Sequence, residues 1–154
     1  MVDAKSINTP MSINGNLDRD ENGKDVDVKR YKGMFGSLLY LTASVYGIMF
    51  SVSMCARYQS AIKESHLKVI KRILVYLHGT SKYERWFSKG RDCSLVCYSD
   101  SNFSGCKSDR KSISGTCHIF SNSLVSWHIK KQFSIAFPTA EAEYVTVGSC
   151  CSQI

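Results

Sequence analysis

Residues 94–129, SLVCYSDSNFSGCKSDRKSISGTCHIFSNSLVSWHI, contain the alternation of apolar and polar side chains that decides the fold. Three segments of this stretch have strand character, namely Ser94–Asp100, Ser114–Phe120 and Leu124–Ile129. The turn-prone residues 121–123 separate the last two segments, which is typical of a hairpin. The stretch therefore predicts a small antiparallel sheet.

The segments on either side of this stretch predict one more strand and a helix. Tyr83–Phe87 is aromatic and is followed by the turn-prone residues 89–92, so it is a further strand candidate. Thr139 follows Pro138 and is predicted to be the N-cap of a helix that runs through Val147. Strands followed by a helix place this half of the chain in the α+β class.

A charged amphipathic helix is predicted before the sheet. Its apolar residues recur at helical spacing and its cations occupy the other face. These apolar residues are Leu67, Ile70, Ile73, Leu74 and Leu77. Gly79 stands where a C-terminal cap belongs, so the pattern changes from helix to strand between residues 79 and 83.

The run from Gly33 to Ala56 contains no charged residue and has two interpretations. Its small polar residues and its break at residues 44–47 favour two short helices, Tyr31–Ala43 and Ile48–Tyr58, which pack in a small helical core. Its length is also about that of a bilayer span, so a membrane helix over residues 33–56 is the alternative.

Composition and charge exclude several classes of protein. The 154 residues are 44% hydrophobic and 21% charged, which excludes collagen-like and fully disordered chains. Residues 1–30 carry a net charge of −1, contain many turn-forming residues and are predicted to be a flexible arm, whereas residues 31–154 carry +8. The arm lacks the apolar run of a signal peptide, and seven cysteines without such a signal indicate free thiols. We therefore expect an intracellular protein, cytoplasmic or nuclear, that is not secreted.

Some of the cysteines have a spacing that suggests a zinc site. The candidate ligands are Cys93, Cys97, Cys106, Cys117 and His118. No Cys-x-x-Cys pair is present among them, and the first two lie in a segment with strand character. Thiols that are buried or that have no ligand or function are therefore the favoured interpretation.

Carboxylates at the end of a strand and in the first turns of a helix suggest a site for a hard cation. Asp100 ends an apolar strand, and Glu141 and Glu143 lie near the start of the last helix. Because two helical residues two positions apart point about 200° from each other, only one of the glutamates can face the site of Asp100. Oxygen ligands of this kind suit magnesium. The alternative is that all three are solvated carboxylates or helix caps.

Basic residues in the later part of the chain predict contact with a polyanion such as nucleic acid. The candidate binding residues are Lys68, Lys71, Arg72, Arg110, Lys111, Lys130 and Lys131. They are flanked by aromatic residues on which bases can stack, namely Tyr76, Tyr98 and Trp127. A solvated charged surface is the alternative.

Several segments resemble motifs of the Pol polyprotein of Copia-type retrotransposons, in the order of that family. The similar segments are YKGMFGSLLYLT (31–42), HLKVIKRILVYLHGT (66–80), YSDSNFSGC (98–106), DRKS (109–112) with SGT (114–116), KKQ (130–132) and TAEAEY (139–144). The corresponding family motifs are YRGMIGSLLYLT, HLxAxKRILRYLKGT, YSDADFAGC, DRKSTSGT, SKKQ and TAEAEY. The resemblance covers nearly the whole chain.

The resemblance implies a fold and a chemistry. Residues 31–80 would form the helical thumb or connection region of a reverse transcriptase, and residues 83–154 the beginning of a ribonuclease H domain. Such a domain hydrolyses the RNA strand of an RNA–DNA hybrid with two Mg²⁺ ions held by carboxylates. In this resemblance Asp100 matches the ligand on the first strand and Glu143 the ligand on the helix. The implied partners are the hybrid, or another nucleic acid, and the remaining Pol segments.

The chain also departs from the family's pattern. The polymerase aspartates of the family lie upstream of the matched segments, and a further ribonuclease H carboxylate follows a stretch beyond the position of Ile154. Asn102 replaces the second acid of the DAD motif. We therefore expect a truncated polyprotein fragment with a short helical bundle, an incomplete ribonuclease H-like fold and little or no catalysis. The alternatives are a non-enzymatic nucleic-acid-binding remnant and a small membrane protein.

Overall fold

Helices form the first part of the chain, and an antiparallel sheet with one helix forms the second. The computed structural model describes residues 7–12, 17–83, 89, 93–106 and 108–154. The chain divides into two units, Met1–Glu84 and Arg85–Ile154.

Three helices and a short 3₁₀ turn build the first unit. They are α1 (Val28–Leu41), the 3₁₀ turn Tyr46–Ile48, α2 (Met49–Ala56) and α3 (Glu64–Gly79). The Asp27 carboxylate caps α1, because it accepts hydrogen bonds from the backbone N–H groups of Lys29 and Arg30. Helical spacing places Tyr31, Phe35 and Leu38 on the buried face of α1.

The long uncharged run is divided between two helices. α1 ends at Leu41 and α2 begins at Met49, which agrees with the expected break at residues 44–47. Ile48, Val52 and Cys55 of this run are buried in the core of the first unit. None of the helices within the described ranges has the length and apolar character needed to cross a bilayer.

Part of the segment predicted to be a flexible arm packs on the helices. The side chain of Leu17 is buried, and the backbone N–H of Glu64 donates to the carbonyl of Lys24 at 2.9 Å. Asp25 pairs with Lys63 as an isolated β-bridge and as an ion pair of 2.7 Å. The prediction of an arm over residues 1–30 therefore needs correction from residue 17 onward, because this polar segment satisfies its backbone groups against the start of α3.

The rings of Tyr58 and His66 hold this segment in place. They stack with their centroids 4.8 Å apart, and the Tyr58 hydroxyl donates to the carbonyl of Leu17 at 2.8 Å. His66 is fully buried, and its Nδ1 accepts the backbone N–H of Lys63 at 3.0 Å. Nε2 therefore carries the proton, and it donates to the carbonyl of Asp18 at 2.8 Å. A neutral imidazole thus satisfies two backbone groups that would otherwise be left without partners.

The described residues of the second unit form three strands and one helix. They are β1 (Leu95–Asn102), β2 (Ile113–Phe120), β3 (Ser123–Lys131) and α4 (Thr139–Cys151). The strands are antiparallel in the order β1-β2-β3, which confirms the predicted α+β class with an incomplete ribonuclease H-like sheet and one helix. The further strand predicted over Tyr83–Phe87 lies almost entirely outside the described residues.

A two-residue turn connects β2 and β3. Ser121 and Asn122 both have positive φ, 48° and 62°, the left-handed conformation that tight hairpin turns require. A register shift lies between His118 and Ile119 on the β2 side of the hairpin.

At the other side of the described sheet β1 is an edge strand, and its Leu95, Val96 and Tyr98 side chains are exposed.

The start of α4 differs in detail from the prediction. The helix begins at Thr139, and Pro138 occupies the N-cap position without a side-chain hydrogen bond. The Glu141 carboxylate instead accepts the backbone N–H of Phe137 at 3.0 Å. Thr139 is thus the first helical residue, and the cap is supplied by a carboxylate in the first turn.

We predict that Tyr58→Phe lowers the free energy of unfolding by about 1 kcal/mol, because it removes the hydroxyl that bonds the Leu17 carbonyl while the stacked ring is kept. Urea denaturation followed by circular dichroism measures this change. Tyr40→Phe is the matched control, since Tyr40 is 83% exposed on α1. Equal stability of the two variants would contradict the proposed role of the Tyr58 hydroxyl.

Candidate functional site

The pairing of β1 with β2 determines which side chains share a face of the sheet. Cys97 lies opposite His118, and Ser101 lies opposite Ser114. Residues directly opposite each other in an antiparallel pair point to the same side, so these four share one face. α4 covers this face, since the Thr146 and Ser114 hydroxyls are 2.8 Å apart.

Asp100 lies on the other face of β1. It is three residues after Cys97 and pairs with Gly115, so strand alternation directs its side chain away from the face that α4 covers. The residue is exposed, and its carboxylate forms no hydrogen bond or ion pair with a described residue.

Glu143 is exposed on α4, one position after the buried Ala142. Like Asp100, its carboxylate forms no hydrogen bond or ion pair with a described residue. Glu141, the other candidate, is engaged at the start of the helix through the Phe137 N–H. Of the two glutamates, Glu143 is the one whose carboxylate is left for other partners.

A buried polar cluster fixes α4 on the sheet. The side-chain amide of Gln132 donates to the Ala142 carbonyl at 2.8 Å, to the Ser114 hydroxyl at 3.0 Å and to the Thr146 hydroxyl at 3.2 Å. All of these residues are at least nine-tenths buried. The Gln132 Oε1 is buried without a described partner, so the cluster depends on the amide nitrogen. Its hydrogen bonds favour one position of the helix, because a shift of α4 breaks several of them together.

The described residues do not fit a site for two magnesium ions. Such a site holds two ions about 3.5–4 Å apart and needs several converging carboxylates. Among the described residues the only group of three or more Asp, Glu, His or Cys side chains with converging ligand atoms is Cys97, His118 and Cys150, which contains no carboxylate. Asp100 and Glu143 are therefore exposed carboxylates without a third carboxylate beside them among the described residues.

The basic residues of α3 are partly engaged within the first unit. Lys68 forms an ion pair with Glu64 one turn earlier at 3.4 Å, and Arg72 donates to the Thr9 hydroxyl at 3.1 Å. Lys71 is exposed. An exposed ion pair of this kind contributes little stability, so Lys68 can exchange its partner at small cost.

The other four candidate cations lie at one end of the sheet in the second unit. Arg110 and Lys111 lie directly before β2, whose first residue is Ile113. On β3, Lys131 pairs with Ile113, and Lys130 precedes Lys131 along the chain. The Lys130 ammonium lies 4.7 Å above the ring of Phe133.

Asp109 partly neutralises this basic end. Its carboxylate is 2.7 Å from the Lys131 ammonium and accepts the backbone N–H of Lys111. A hydrogen bond from the Cys106 thiol and the Lys131 ammonium hold the pKa of Asp109 well below its usual range. The carboxylate therefore stays ionised at neutral pH, and Lys131 is the least available of the four cations.

The structure brings together only two of the five residues considered as zinc ligands. Cys97 and His118 come together, but Cys93 is exposed and the Cys106 thiol lies 3.2 Å from the Ser108 hydroxyl. Cys117 neighbours His118 on β2, so it points to the opposite face. Cys150 of α4 joins Cys97 and His118 instead, and its role was missed because helix packing, not sequence spacing, brings it there.

Burial keeps two of the thiols protonated at neutral pH. It raises the pKa of Cys55 to about 12, and it also raises the pKa of Cys150. The described cysteines all have free thiols. Neither of these two thiols has the depressed pKa of a cysteine nucleophile.

Comparison with curated proteins identifies relatives along the whole chain. The chain is 34% identical over 154 residues to the retrovirus-related Pol polyprotein from transposon RE1 and 31% identical over 154 residues to that from transposon RE2, both of Arabidopsis thaliana. It is 31% identical over 153 residues, 94% of the chain, to the retrovirus-related Pol polyprotein from transposon TNT 1-94 of Nicotiana tabacum.

These matches confirm the resemblance to Pol polyproteins that the motifs indicated. The chain spans 10% of the length of the first of these relatives and 11% of the other two. No family model matches the chain. No solved structure matches it either.

We predict that Gln132→Met lowers the free energy of unfolding by about 1–3 kcal/mol, because it removes the buried amide hydrogen bonds to the Ala142 carbonyl and to the Ser114 and Thr146 hydroxyls. Urea denaturation of the full chain measures the loss. Gln153→Met is the matched control, since Gln153 is exposed and accepts a single hydrogen bond, from Thr116. A loss in the control as large as that in Gln132→Met would show that the buried amide has no special role.

Proposed function

Because the chain is homologous along its full length to retrovirus-related Pol polyproteins, we propose that it is a segment of a Copia-type Pol polyprotein that joins the C-terminal region of a reverse transcriptase to the beginning of a ribonuclease H domain. The order of a helical unit followed by a three-stranded sheet and a helix supports this assignment. Its partners in this proposal are an RNA–DNA hybrid, or another nucleic acid, and other Pol segments inside the cell, in the cytoplasm or nucleus.

The proposed ancestral activity is hydrolysis of the RNA strand in RNA–DNA hybrids, for which Asp100 and Glu143 would be magnesium ligands. One observation leads us to propose that this chain alone is inactive, namely that its described residues bring no group of carboxylates together. Two isolated carboxylates do not hold two ions in catalytic geometry, so no hydrolytic step follows from this arrangement.

We predict that the purified chain leaves the RNA strand of a labelled RNA–DNA hybrid intact in the presence of Mg²⁺. Denaturing gels of wild-type protein, Asp100→Asn and Glu143→Gln are then indistinguishable. Glu141→Gln is the control on the same helix, since Glu141 caps the helix start. Cleavage that depends on Mg²⁺ and is lost in Asp100→Asn and Glu143→Gln, but kept in Glu141→Gln, would overturn the proposed inactivity.

A second candidate function is binding of nucleic acid without cleavage. The observation that favours it is the group of four cations at one end of the sheet, with Asp109 as their described acidic neighbour. Exposed lysine and arginine side chains bind phosphates by releasing condensed counterions, which needs no metal site.

We predict that Arg110→Ala with Lys111→Ala weakens binding to the hybrid and reduces the slope of log affinity against log salt by about 2, because each cation contacts about one phosphate. Fluorescence anisotropy at several salt concentrations measures both quantities. The double variant Lys29→Ala with Lys32→Ala removes the same charge from α1, where both residues are exposed. An equal loss in the two double variants would mean that net charge, not this surface, drives binding.

A further inference from the structure

Cys97, His118 and Cys150 form a compact group of sulfur and nitrogen ligands between the sheet and α4. Their ligand atoms all lie within 4.8 Å of one another, and the Cys150 Sγ is 3.7 Å from His118 Nε2. The register of β1 and β2 places Cys97 and His118 side by side, and the packing of α4 adds Cys150.

One nitrogen of the buried His118 imidazole has no hydrogen-bond partner among the described residues. The residue is 4% exposed, its Nδ1 is buried with no described partner, and its Nε2 forms a hydrogen bond of 3.7 Å with the Cys150 thiol. That thiol also lies 3.8 Å from the Tyr98 carbonyl, to which it can donate. Burying a ring nitrogen without a partner costs free energy. Coordination to a metal ion would compensate for this cost.

We propose that Cys97, His118 and Cys150 bind a zinc ion that fastens α4 to β1 and β2. In a tetrahedral zinc site the ligand atoms lie about 3.5–3.8 Å apart, so the present group needs only small side-chain adjustments to reach that geometry. Cys97 is half-buried, so the ion can enter from its side and water can occupy the fourth position.

The chemistry of the site differs from that of the carboxylates discussed above. Thiolate and imidazole ligands favour zinc over magnesium, so this site is independent of the proposed Pol function. When the two Zn–S bonds form, each thiol gives its proton to solvent, and no electron is transferred. Binding of each ion therefore releases about two protons at neutral pH.

Cobalt substitution tests the ligand set directly. The purified full chain, kept reduced with a phosphine, is titrated with Co²⁺, and we expect stoichiometric thiolate-to-cobalt charge-transfer absorption that Zn²⁺ abolishes. The absorption should be lost in Cys97→Ser and Cys150→Ser but kept in the controls Cys117→Ser and Cys151→Ser. Cys117 points to the opposite face of β2, and Cys151 is exposed beside Cys150.

A second measurement uses the wild-type chain and so does not depend on the folding of variants. Zn²⁺ should slow alkylation of Cys97 at least about tenfold, because a bound thiolate is a poor nucleophile, while exposed Cys93 and Cys151 react as before. Mass spectrometry of the alkylated peptides gives the rates. Absence of a stoichiometric cobalt band, or unchanged alkylation of Cys97 in Zn²⁺, would overturn the proposal.

Discussion

The antiparallel register of β1 and β2 is the constraint on which the arrangement of the second unit depends. It places Cys97 and His118 side by side under α4 and directs Asp100 to the other face. A slip of β1 by one residue would turn Cys97 away from His118 and direct Asp100 towards α4. The polar cluster around Gln132 keeps the helix in a matching position, since its hydrogen bonds reach both β2 and α4. Register and helix position thus support each other.

The same constraint separates two kinds of metal chemistry. The hard oxygen donors Asp100 and Glu143 are exposed and have no third partner among the described residues, whereas the sulfur and nitrogen donors converge in a buried place. Water surrounds the carboxylates at the first kind of site, whereas at the second it has access on the side of the half-buried Cys97. The homology to Pol polyproteins implies a role for the carboxylates. The more complete group of ligands nevertheless lies on the face of the sheet that α4 covers.

Much of the fold follows from the sequence because local patterns carry it. Alternation located the three described strands to within a few residues, and the uncharged run was correctly divided into two helices. The packing of Leu17 against Tyr58 could not be foreseen, since it joins residues 41 positions apart through a single hydroxyl. Cys150 was missed for the same reason, because no spacing rule links a helix residue to a strand pair. The motifs indicated the Pol relationship, while the presence of a working site depends on tertiary contacts that a motif does not contain.

The edge position of β1 affects how copies of the chain meet. Among the described residues, no strand pairs with the outer row of its backbone N–H and C=O groups, and Leu95, Val96 and Tyr98 add apolar surface along it. Two such edges are complementary to each other, because an antiparallel pair of them continues the hydrogen-bond ladder from one copy into the next. Pairing of two copies through this row would leave the hydrogen bonds between β1 and β2 in place, so association at this edge would extend a sheet that is already formed.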